Sequence, residues 1–181
     1  MSWGIARVAE KFEFNNIYNW AGLILVGLII IRLFFAPSHN IGALVRSVKM
    51  SLPEARKIMF IDIPVLIGHS FLYYRLCYNL SNKEYVIFYQ ECAVLLLLNS
   101  AWIFYINIRL KASGVSVPAK FHIWTLNNVV CSVSLFVVLA LYAPFNAMGL
   151  TTYFWISFML VFLNCFIDLR SCSLNYLEDS F

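Results

Sequence analysis

Five apolar stretches, each long enough to cross a bilayer, occupy positions 20–36, 58–74, 85–108, 121–143 and 150–167 of this 181-residue chain. A hydrocarbon core about 30 Å thick needs about 20 helical residues at about 1.5 Å each, with a usual range of about 17–25. Placing these segments leaves little chain for a soluble domain. Composition agrees, with 62% hydrophobic and only 12% charged residues, the latter roughly half the share usual in soluble domains. Runs such as Leu95-Leu96-Leu97-Leu98 and Leu28-Ile29-Ile30-Ile31 lack the alternation that a membrane β-barrel requires. Lipid supplies no water to open backbone groups, so such spans are helices. The expected fold is all-α: an integral membrane bundle of about five transmembrane helices, as one domain over 20–170 with a short tail, 171–181.

The segment 1–19 reads differently. Ile5, Val8, Ala9 and Phe12 follow helical spacing, while Arg7, Glu10 and Lys11 share another face, the pattern of a short amphipathic helix lying in the membrane interface. Its charges precede the first apolar run, unlike the plan of a cleaved signal peptide.

Local signals mark the expected boundaries. Pro37 is read as the stop of the first helix, and Pro118 and Pro144 as brackets of the fourth. Ser51-Leu52-Pro53-Glu54 has the form of a capping box, which starts the second helix ahead of its apolar part. The net charge of +4 comes from basic residues standing singly at segment ends. That distribution does not suit nucleic-acid binding, and the lipid bilayer is the expected surrounding. Connection 37–57 carries Arg46, Lys49, Arg56 and Lys57, and 109–120 carries Arg109, Lys111 and Lys120, against Arg75 and Lys83 in the second connection. The positive-inside rule then places the N-terminus outside and the C-terminus in the cytoplasm, with a bacterial inner membrane as the expected setting.

Polar groups inside a membrane are costly, so each is a candidate for function. In a common depth frame, Arg32, Asp62, Asn99, Asn127 and Asn164 fall about 4–8 Å to the cytoplasmic side of centre, one from each helix, and Asn128 joins them. His69 and Glu91 form a smaller outer layer. Asp62, His69 and Tyr73 are spaced i, i+7, i+11 and share one face of the second helix, interrupted by Pro64 and Gly68. Such a stripe suits an ion or proton path. The same residues also suit a structural role, with Arg32 neutralising Asp62, His69 meeting Glu91 and the asparagines bonding across helices.

Signatures of chemistry are sparse. No H-E-x-x-H, G-x-S-x-G or P-loop occurs. His39, His69 and His122 are too scattered for a bis-histidine haem, and the cysteines lack metal-ligand spacing, so no cofactor is expected. The leading expectation is a small non-enzymatic membrane subunit, acting through helix contacts as a homo-oligomer or within a larger membrane complex. Alternatives are an oligomeric ion or proton channel using the Asp62–His69 face, and an intramembrane enzyme built on Glu91 or Asp62.

Overall fold

The computed structural model describes residues 13, 15–47, 52–112, 114, 119–145 and 147–178, with side chains over 13, 15–32, 63–109, 111–112, 114, 121–145 and 147–171. These residues form five helices: α1 (Ile17–Ser47), α2 (Leu52–Ser81), α3 (Tyr85–Ala112), α4 (Ala119–Tyr142) and α5 (Leu150–Glu178). Three contain stretches long and apolar enough to cross a membrane: Tyr85–Arg109, Phe121–Tyr142 and Leu150–Ser171; Ile17–Arg32 is a shorter apolar helix. Most of the segment expected to be an interfacial helix lies outside the described residues.

The helices outrun the expected spans. They hold 31, 30, 28, 24 and 29 residues, lengths of about 36–46 Å, where the hydrocarbon core is about 30 Å thick. The extra turns carry α1 to Ser47 and start α2 at Leu52, so most of the stretch expected as a connection over 37–57 is helical. The stop expected at Pro37 is absent, because α1 continues to Ser47. Proline removes a single i→i−4 bond, here the one to the Leu33 carbonyl, and a helix can bear that loss. α2 likewise runs unbroken through Pro64 and starts at Leu52, ahead of its apolar part as expected.

Contacts between helices make a closed ring. Each packs on its neighbours in sequence, α1 returns to α5, and α3 also touches α5 across the middle. Short connections make successive helices antiparallel. The α2–α3 turn is tight: Lys83 N–H donates to the Leu80 carbonyl and Glu84 N–H to that of Asn79, with Lys83 in the left-handed region at φ 62°. That is a Schellman ending, usually built with glycine. Lys83 also bonds Glu13 at 2.6 Å, and this hydrogen bond, then the ammonium charge, holds the Glu13 carboxyl below its ordinary range. At the start of α1, Asn16 caps the helix by accepting the Tyr18 N–H at 3.0 Å. Asn16 also donates to Tyr85, whose hydroxyl donates to Asn19. Tyr18, Tyr85 and Tyr89 all set their rings edge-on to Phe154, at 4.7, 5.2 and 5.4 Å between centroids. This end of the ring is therefore filled with aromatic rings.

The outer surface is apolar, and a few polar side chains are buried inside an otherwise apolar core. Leu126, Val130, Val133 and Val137 follow helical spacing along α4 and point outward, as do Ile63, Leu66, Ile67 and Phe71 on α2, while Asn128, Asn164, Arg32 and Asp168 are buried. Apolar stripes on every helix make an outer surface matched to lipid.

One contact limits side-chain size. A Cβ built on Gly22 of α1 would stand 2.3 Å from Leu80 Cδ1 of α2, whereas one on Gly27 meets nothing within 4 Å. Leu80 is itself buried, so it has little room to move aside. Gly22→Val is expected to cost about 1–3 kcal/mol by overpacking. Gly27→Ala should leave stability unchanged or raise it by up to about 1 kcal/mol. Thermal unfolding in nanodiscs separates the two, and equal effects would mean that the α1–α2 approach is not tight.

Candidate functional site

Most of the residues expected in the inner polar layer do meet, with a different acid at the centre. The Arg32 guanidinium of α1 pairs with Asp168 of α5 at 2.5 Å, both side chains 4% exposed. Its other amine donates to Asn164 Oδ1 of α5 at 2.6 Å, and Nη2 also donates to Asn128 Oδ1 of α4. Asn127 donates to Asp168 Oδ1 at 2.6 Å and to the Asn164 backbone carbonyl at 3.1 Å. Asn164 in turn donates to Asn128 Oδ1 at 3.3 Å. Asn164 and Asp168, one helical turn apart, share a face of α5, and adjacent Asn127 and Asn128 turn toward different members of the cluster.

The cluster is electrically closed. One cation meets one carboxylate, and each carboxylate oxygen takes a donor. Asn128 Nδ2 is the exception, a buried donor without a partner. An arginine near a bilayer centre costs about 2.5–3.5 kcal/mol on insertion scales, and the planar guanidinium meets that cost here through charge and directed hydrogen bonds.

Among the described residues the acid paired with Arg32 is Asp168, and the expected pairing with Asp62 lies outside them. Asp62 lies on α2, and its side chain is outside the described residues. Asp168 escaped the sequence reading because it stands one position past the fifth apolar stretch. The usable signal was its i, i+4 spacing from Asn164. Asn99 is buried on α3, but no bond joins it to the cluster among the described residues.

His69 and Glu91 do not pair either. Glu91 of α3 accepts from Arg75 Nε at 2.7 Å and from Asn79 Nδ2 at 2.5 Å, both on α2. His69 bonds the Val65 carbonyl of its own helix through Nδ1 at 2.7 Å. A carbonyl accepts only, so Nδ1 carries a proton, and in the neutral ring Nε2 is then an acceptor. That nitrogen is buried and unpartnered. Tyr73 donates its hydroxyl to the Val26 carbonyl of α1. The three residues of the α2 stripe are therefore not joined to one another by any described bond.

Cys77, Cys92, Cys131 and Cys165 are buried free thiols. Among the described residues, no group of three or more His, Cys, Asp or Glu side chains is placed to hold a metal. A shallow depression on the outer face of α2 is lined by Ile63, Leu66, Ile67, Ser70 and Phe71. No family model, curated protein or solved structure matches this chain.

Removing one member of a buried pair strands the other, which costs about 3–5 kcal/mol, whereas replacing both by apolar residues is often neutral. Arg32→Leu and Asp168→Leu are each expected to lower stability by about that amount. The double variant should recover most of the loss in a thermal double-mutant cycle. Additive losses would show that the two residues act independently.

Proposed function

We propose that this chain is a non-enzymatic membrane subunit that works by helix–helix contact, with copies of itself or within a larger membrane complex. One observation carries the reading. Three charged side chains within the helices, Arg32, Asp168 and Glu91, are each engaged in bonds between helices of this chain. They serve the bundle and are not presented to a substrate or an ion path. What the molecule offers outward is apolar helix surface, as on α2, where Ile63, Leu66, Ile67 and Phe71 are each more than half exposed. The basic residues Arg109 and Lys111 close α3, and Arg46, Arg56, Lys57 and Lys120 belong to the same end of the bundle. By the positive-inside rule this end faces the cytoplasm and the start of α1 faces outward.

A Ser70→Cys chain tests the reading in native membranes. A bifunctional thiol reagent should trap a defined species larger than one chain, and Ile67→Ala with Phe71→Ala should reduce its yield at least several-fold. A single-chain mass in native nanodiscs, with no trapped species, would refute the proposal.

The unpartnered His69 Nε2 favours a second reading, conduction along the α2 face. In liposomes this predicts a proton or ion flux that His69→Ala abolishes while the fold is retained. Flux that is absent across potentials and pH removes it.

A further inference from the structure

Among the described residues, the acceptor for Arg32 is assembled within the α4–α5 hairpin. Asn127 of α4 steadies Asp168, and Asn164 of α5 bonds Asn128. These contacts leave Asp168 Oδ2 and the side-chain oxygens of Asn128 and Asn164 pointing at one guanidinium. The two helices pack directly on each other and are joined by the short segment 143–149, so this receptor can form before α1 joins it. Arg32 comes early in the chain, and Asn164 lies 132 positions further along. None of the bonds described to Arg32 comes from α2 or α3. A chain that enters the membrane from its N-terminal end therefore carries α1 in with a charge whose described partners all come from the last two helices.

We propose that α1 is a latched helix: it settles as a membrane-embedded member of the bundle only when the completed α4–α5 hairpin takes up Arg32. The ring is closed late, by the contact of α1 with α5. Until then the α1 charge stays within reach of water or headgroups, and the apolar stretch around Gly27 stays accessible with it. The latch does not depend on the subunit reading, since it concerns how this chain closes and not what it meets.

Pulse-chase labelling of the full chain tests the latch. A Gly27→Cys chain is exposed to a membrane-impermeant maleimide at successive times after synthesis, with background taken from the chain lacking that substitution. In the otherwise native sequence, Cys at 27 should label early and become protected once synthesis is complete. Asp168→Leu should leave it labelled several-fold longer. Arg32→Leu should protect it from the start, alone or combined with Asp168→Leu, because α1 then needs no receptor. A purely structural ion pair predicts the contrary for Arg32→Leu, namely slower or weaker protection. A Leu97→Cys reporter on the lipid face of α3 should remain protected throughout. Equal protection times at position 27 in all four backgrounds would overturn the proposal. So would loss of protection at position 97 in Asp168→Leu, since the defect would then be general unfolding.

Discussion

A guanidinium in lipid must find its counter-charge inside the protein, and the Arg32–Asp168 pair is how this chain meets that demand. An arginine left on the outer face of α1 would face apolar surroundings, and Arg32 is instead buried and turned toward α4 and α5. That single orientation sets which face of α1 is buried and closes the ring between the first helix and the fifth. Buried pairs contribute little net stability compared with apolar packing of the same volume. Their effect is to choose: an unpaired charge penalises every arrangement in which α1 sits elsewhere or is rotated.

The same logic recurs around the ring. Tyr73 ties α2 to the Val26 carbonyl of α1, and Arg75 and Asn79 tie α2 to Glu91 of α3. Ser132 of α4 donates to the Ala93 carbonyl of α3 at 2.9 Å, and Asn127 joins α4 to Asp168 of α5. Every neighbouring pair of helices thus carries at least one directed polar bond. Leucine against leucine gains little over leucine against a lipid tail, so apolar contact alone discriminates poorly between registers. Sparse polar bonds, close approaches such as Gly22 to Leu80 and edge-on aromatic rings supply the discrimination.

Much of this was legible in the sequence. Length and hydropathy of the apolar runs establish a helical membrane bundle, and placing residues at common depths brings Arg32, Asn127, Asn128 and Asn164 to one level. What that reasoning missed has a common cause. Asp168 lies just past the apolar run that defined its helix, and helices continue beyond such runs wherever backbone bonding stays favourable. Pro37 failed as a stop because one missing N–H is a weak signal beside a helix otherwise able to continue. Depth also says nothing of azimuth, so His69 and Glu91 shared a layer without sharing a partner.

The sequence by itself determined that the chain is helical, that its apolar helices suit a lipid bilayer, and that several of its polar groups fall near one level. Those follow from the free energy of apolar surface and unsatisfied backbone in a bilayer, which depends on local composition. Only the tertiary structure decided who pairs with whom. Arg32 takes Asp168, and Glu91 takes Arg75 and Asn79, because hydrogen bonds and ion pairs act over a few ångströms and depend on how each helix is rotated against its neighbours. That rotation is a property of the whole ring, settled when α1 meets α5.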